Sequence, residues 1–156
     1  MRGIKIIGTG TYIPETVASN EWLSTIMDTN DEWIYSRTGI RERRISKDKP
    51  NFYMAAEASK KAIEASGLKP EDIDLILASS CSPDFYYPCL ACLVQHEVGA
   101  VNAAAYDVNA ACTGFIMALD AGAIDGYVCE KPGAESAVAA NSNFTYIEFA
   151  DGNGFV

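Results

Sequence analysis

Apolar positions along this chain alternate between short runs and helical stripes. Residues 5–8, with Ile6 and Ile7 at their centre, read as a short strand, and the Gly, Thr and Pro that follow predict a turn through Pro14. Residues 21–27 predict a short helix with Asn20 as its N-cap, and 31–36 a second with acids in its first turn. Residues 41–46 alternate enough for a strand or hairpin arm. The clearest helix is 53–66, where Met54, Ala55, Ala58, Ala62, Ile63 and Ala65 share a side and Gly67 supplies the stop. Its many alanines predict a close approach to whatever it packs on. Residues 73–80 are apolar and of strand length. Pro88 opens a helix to Val98, since proline suits a first helical position. A strand follows at 103–108, and Cys112 starts a helix reaching roughly Gly126.

Strands and helices in that order, joined by short links, predict βαβ units. The expected fold is α/β, a mainly parallel sheet with helices on both faces, in one domain over residues 1–156. Residues 123–148 are harder to read, and both periods fade over 129–143, where Pro132-Gly133 breaks the chain. Residues 134–140 are faintly apolar, and 146–150 have the pattern of one more strand.

The chain is 49% hydrophobic and 21% charged, which suits a globular core and argues against disorder. No apolar run is long enough to span a bilayer and no signal peptide is readable, so the expectation is a cytoplasmic chain with no membrane partner. The net charge of −9 makes it a poor nucleic-acid binder. It is unevenly spread. Residues 37–69 carry nine Lys/Arg against four Asp/Glu, whereas 70–156 carry one Lys against twelve acids. The basic block could receive a phosphorylated ligand, although a solvated charged surface is the commoner meaning.

Five cysteines at irregular spacing make a poor disulfide framework. Cys89 and Cys92 form a C-x-x-C, yet His96 is the one histidine, so no metal site is expected. A redox pair is open on paper, but the pattern reads better as the first turn of a packed helix. Cys112 differs. It lies where the strand 103–108 gives way to a helix, just past the strand end where α/β sheets gather ligands. Orphan backbone N–H groups at a helix start favour a thiolate, and Ala110, Ala111, Thr113 and Gly114 leave room for a substrate. No base or cation is adjacent. The local pattern leaves two readings open, an activated nucleophile and a buried inert cysteine.

Three ordered motifs decide between them. These are Asp28-Thr29-Asn30-Asp31-Glu32-Trp33-Ile34, Arg37-Thr38-Gly39-Ile40-Arg41-Glu42-Arg43 and Asp107-Val108-Asn109-Ala110-Ala111-Cys112-Thr113-Gly114-Phe115. With the opening Ile6 to Pro14, they closely resemble the N-terminal half of the beta-ketoacyl-acyl-carrier-protein synthase III family. The likeness runs almost without gaps from residue 1 to about 122. It implies a thiolase-like fold of two similar halves, of which this chain supplies the N-terminal one and lacks the C-terminal one, with 123–148 divergent or shortened.

The resemblance also implies an acyltransferase that initiates fatty acid synthesis. A short acyl group moves from acyl-CoA to Cys112, and malonyl-acyl-carrier-protein then loses carbon dioxide and attacks the thioester. Coenzyme A thioester is a substrate, and no cofactor is expected. Trp33 and Arg37 match residues that sandwich the adenine end of coenzyme A, which suits a flat indole and a guanidinium. Thr29 matches a polar contact to the same nucleotide. Tyr87 matches a position lining the acyl pocket across a homodimer, where a bulky ring favours short primers. The family takes a catalytic histidine and asparagine from its second half. His96 matches neither, so the chain is expected to be incomplete for condensation. The rival readings are a non-catalytic coenzyme A-binding or interaction half-domain and a sibling ketosynthase of secondary metabolism.

Overall fold

A computed structural model describes residues 5–124, 136–141 and 144–149, with residue 5, residues 123–124 and the last two segments as backbone only. In chain order the elements are β1 (Lys5–Gly10), β2 (Thr16–Ser19), α1 (Asn20–Ser24), α2 (Asp31–Thr38), β3 (Glu42–Ile45), α3 (Asn51–Ser66), β4 (Leu75–Ser79), α4 (Leu90–Val98), β5 (Ala104–Asp107), α5 (Gly114–Ile124), β6 (Ser136–Asn141) and β7 (Phe144–Phe149). They fall into two compact units: Ile13–Lys49, and a larger one made of Met1–Tyr12 with Pro50–Val156.

The larger unit is built on a five-stranded sheet of order β1-β7-β6-β4-β5. β4 pairs in parallel with both β5 and β6, as βαβ connections require. Two antiparallel pairings, β6 with β7 and β7 with β1, extend that parallel run to the far edge. The faint apolar stretch at 134–140 therefore holds a strand, β6, in the middle of the sheet. Pro132-Gly133, residues 125–126 and the glycine-rich stretch 150–156 lie outside the described residues.

β4 shows why helices cover both faces. All five of its residues are buried. Ile76 and Ala78 join the cluster formed with α3 and α4, including Ala62, Ile63, Leu90 and Val94. Leu75 and Leu77 point the other way and pack with Ala118 of α5. A strand buried on both sides reads as a continuous apolar run, which is how 73–80 stands out. Each fully buried Leu, Ile or Val side chain contributes about 1.5–3 kcal/mol.

The close approach expected of the alanine helix is to β1. A Cβ built on Gly10 would overlap the carbonyl oxygen of Ala58 and stand 2.6 Å from the Ala62 nitrogen. Gly8 meets Ala62 and Ser66 in the same way. Glycine on the strand and alanine on the helix let two backbones touch.

Both long helices on that face are capped by carboxylates from remote segments. Asn51 N–H and Phe52 N–H donate to the two oxygens of Asp84 at 2.8 and 2.7 Å. Leu90 N–H and Ala91 N–H donate to those of Asp107 at 3.0 and 2.7 Å. An anion at a helix N-terminus satisfies orphan donors and meets the positive end of the dipole. Pro88 does not open α4, contrary to the sequence expectation. The helix begins at Leu90, the first residue whose N–H Asp107 holds, with Cys89 in the N-cap position.

In the smaller unit β2 and β3 form an antiparallel pair, from Thr16 opposite Ile45 to Ser19 opposite Glu42. Ser19, not Asn20, caps α1, accepting from Trp22 N–H at 3.2 Å. Asn20 is fully buried and its amide is spent elsewhere. Nδ2 donates to Asp31 Oδ1 and to the Ile40 carbonyl, both at 2.7 Å, and Oδ1 accepts from Arg43 Nη2 at 3.0 Å. A buried amide with every contact filled ties strand, helix and loop together.

Candidate functional site

Cys112 occupies a 3-10 turn, Ala111–Thr113, between β5 and α5, so the α-helix starts two residues later than the sequence predicts. The residue is exposed. Three features fix its turn. Val108 N–H donates to the Ala78 carbonyl at 2.7 Å, which carries the β4–β5 pairing one residue further. Thr113 donates to the Ala110 carbonyl through N–H at 3.1 Å and Oγ1 at 2.8 Å. Gly114 sits against Ser79, where a Cβ would overlap Ser79 Oγ. Ala111 adopts φ 46°, a left-handed conformation that a residue with a Cβ adopts at a cost. The thiol is thus presented on a tight turn at the carboxyl ends of two parallel strands, the place where open α/β sheets bind ligands.

The loop between β4 and α4 borders a cavity of about 480 Å³, lined by Cys81, Asp84, Phe85, Cys89, Asp107 and Asn109 among others. Neither Cys112 nor Tyr87 is among its lining residues. Tyr87 is 91% exposed, beside Tyr86 at 90% and Phe85 at 53%, so three rings in a row face outward. Cys89 and Cys92 do lie at the start of a packed helix, with their sulfurs 3.4 Å apart. Burial pushes the Cys89 thiol up to about 11; the Cys92 backbone N–H opposes the shift, and the Cys92 thiol and the Asp107 charge add to it. His96 is exposed near the far end of the same helix.

In the smaller unit, α2 carries Trp33 and Arg37 four residues apart, hence on one face. Asn30 caps this helix, accepting from Trp33 N–H at 2.8 Å. The Arg37 guanidinium lies 4.4 Å from the Trp33 ring centroid and contacts the Trp33 carbonyl at 3.4 Å. The two are stacked on each other, which spacing alone does not reveal. Thr29 Oγ1 is buried without a hydrogen-bond partner, as is Arg43 Nη1. Arg41 lies over the Tyr35 ring at 3.9 Å and pairs with Asp31 at 3.7 Å. Two arginines of the basic block are therefore held on aromatic rings of α2.

The sequence reading assigned nothing to Asp84, Asp107 or Ser79. Asp107 stands in the Cys112 motif itself, and an acid at a strand end before a βα loop was the available signal. For Asp84, 32 or 33 residues from the N–H groups it caps, no local pattern exists.

A stretch of 120 residues, 77% of the chain, is 56% identical to the beta-ketoacyl-[acyl-carrier-protein] synthase III of Clostridium acetobutylicum and covers 37% of that protein. The chain thus spans little more than a third of the curated relatives it matches. Among solved structures it is similar to the 3-oxoacyl-[acyl-carrier-protein] synthase III of Aquifex aeolicus. The TM-score is 0.83 at 36% identity, over 97% of this chain and 55% of that one. It is similar too to the priming beta-ketosynthase of the R1128 polyketide pathway, with a TM-score of 0.84 at 30% identity over 98% of this chain and 52% of that one. No protein-family model matches. Among the described residues no helix is long and apolar enough to cross a membrane.

Proposed function

Since the chain belongs to the beta-ketoacyl-[acyl-carrier-protein] synthase III family, carrying its N-terminal portion, we propose that it supplies the acyl-accepting half of that chemistry. Cys112 takes a short acyl group from acyl-CoA. Its thiolate attacks the thioester carbonyl, coenzyme A leaves as its own thiolate, and a new thioester holds the acyl group for condensation with malonyl-acyl-carrier-protein. The observation that carries this reading is the exposed Cys112 on a strained turn at the end of the parallel pair β4–β5. The same reading makes acyl-CoA and malonyl-acyl-carrier-protein the partners, with no further cofactor. It also assigns the outward rings at 85–87 to a homodimer, with Tyr87 beside the acyl pocket. A sibling ketosynthase of secondary metabolism is the second reading, favoured by the likeness to the R1128 priming enzyme.

Mass spectrometry after incubation with acetyl-CoA tests the proposal. An adduct of about 42 Da should appear on Cys112 and vanish in Cys112→Ala. Noncovalent binding alone, or acetylation confined to another thiol, would refute it.

Thr29, Trp33 and Arg37 would hold the nucleotide end of coenzyme A. Trp33 and Arg37 now stack on each other, and a flat base between them needs about 7 Å of separation. Binding therefore lifts Arg37 off the indole and gives up a contact worth about 0.5–1 kcal/mol at an exposed site. Two new stacking contacts replace it. Trp33→Ala or Arg37→Ala should weaken coenzyme A binding by about 1 kcal/mol or more, roughly fivefold in Kd by calorimetry. Unchanged affinity in both variants would remove them from the site.

A further inference from the structure

We propose that Cys89 and Cys92 form a modification site, a dithiol that a low-molecular-weight disulfide such as oxidised glutathione closes to a disulfide within the first turn of α4. Inside a continuous helix, side chains three apart have Cβ atoms about 5–6 Å apart, whereas a disulfide needs about 3.5–4.5 Å. Cys89 escapes that limit because it is not helical. It holds the N-cap position with extended backbone, φ −69° and ψ 162°. An N-cap side chain leans back over the third helical residue, the relation that side-chain caps use. Here the third helical residue is Cys92, and the sulfurs meet at 3.4 Å.

The two thiols are not equivalent. Cys89 lines the cavity bordered by the β4–α4 loop, where a reagent can reach it. Cys92 lies behind, with its sulfur 3.8 Å from the Ala105 carbonyl. The order of events follows. The Cys89 thiolate, its proton lost to solvent, attacks one sulfur of oxidised glutathione and releases one glutathione thiolate. The Cys92 thiolate then attacks the Cys89 sulfur of the mixed disulfide and releases the second. Two cysteine thiols lose two electrons and two protons, and one glutathione disulfide becomes two glutathiones.

Burial, with Asp107 adding to it, makes this pair slow in both directions. Burial holds the Cys89 thiol near 11. The Asp107 carboxylate holds the Leu90 and Ala91 N–H groups that would otherwise steady a Cys89 thiolate, and its charge opposes one. Little thiolate is available to start the reaction. On reduction an incoming thiolate reaches the Cys89 sulfur and releases Cys92, and Cys89 leaves only in the second exchange, slowly, since a sulfur with a high pKa is a poor leaving group. The pair works as a latch, not as a fast shuttle.

The test is oxidised glutathione on the folded chain in mildly alkaline buffer, followed by maleimide trapping and fragment mass spectrometry. The segment holding Cys89 and Cys92 should become about 2 Da lighter and lose maleimide labelling at both positions at least tenfold. In Cys92→Ser the same treatment should leave Cys89 about 305 Da heavier, the trapped glutathione adduct. A stable glutathione adduct on Cys89 of the unaltered chain would overturn the proposal. So would two thiols that stay free while Cys81 and Cys112 react.

Discussion

A polypeptide of residues 1–156, given acetyl-CoA and malonyl-acyl-carrier-protein, is expected to release no carbon dioxide above the uncatalysed rate, even with Cys112 fully acylated. Decarboxylation leaves negative charge on the malonyl thioester, and that charge needs positioned donors. By the family resemblance these are a histidine and an asparagine from the second half. The one histidine here cannot stand in. His96 is the seventh residue of α4, about 9 Å along the helix axis from Leu90. Leu90 is the end held by Asp107, at the carboxyl edge of β5. The helix carries His96 away from the edge where Cys112 stands. Loss of a single oxyanion donor costs roughly a hundredfold to a thousandfold elsewhere, and by that resemblance residues 1–156 supply neither of the two. The assay follows carbon dioxide and 3-oxoacyl-acyl-carrier-protein. Cys112-dependent product would show that other residues of this chain take both roles.

Gly10→Ala should be the most damaging small substitution in the larger unit, costing about 3 kcal/mol or more. The new methyl would overlap the Ala58 carbonyl and press on the Ala62 nitrogen at 2.6 Å. Both are helix backbone, so neither can turn aside as a side chain would. Either β1 moves off α3 or the helix bends. Gly67→Ala is the fitting contrast. That glycine ends α3 with φ 77° and open space around it, so the change should cost only about 1 kcal/mol. For a domain of this size the difference is roughly 4–8 °C in Tm by circular dichroism. Equal melting temperatures would show that the β1–α3 contact is looser than its geometry.

Legibility tracked the range of the interactions involved. β4, α3 and α4 were plain because their apolar positions follow one period and each buries against neighbours that the same period selects. β2 was missed, since Thr16 to Ser19 is four residues long and owes its form to pairing with β3 some 26 residues later. Asn20 has the residue type of a cap, but burial gives its amide three other partners. At the candidate site, the position of Cys112 was readable from the strand-to-helix switch and the motif. Its turn depends on Gly114 fitting against Ser79, 35 residues earlier, which no local pattern carries. Trp33 and Arg37 could be set on one helix face from their spacing, while their mutual stacking could not.

The pairing of β1 with β7 has a consequence for how the molecule is made. Lys5 lies opposite Phe149 and Gly10 opposite Thr145. On the ribosome, the first strand of the sheet thus waits for the last. At about 5–20 residues per second, the interval between them is roughly 7–30 s. Once α3 is made, β1 can rest on it through Gly8 and Gly10, but the backbone edge that β7 will cover stays open to any other unfinished strand. Contacts so distant in sequence also close slowly, because the intervening loop must be ordered before the pairing rewards it. A nascent chain of this kind is a natural client for a chaperone until residue 149 emerges.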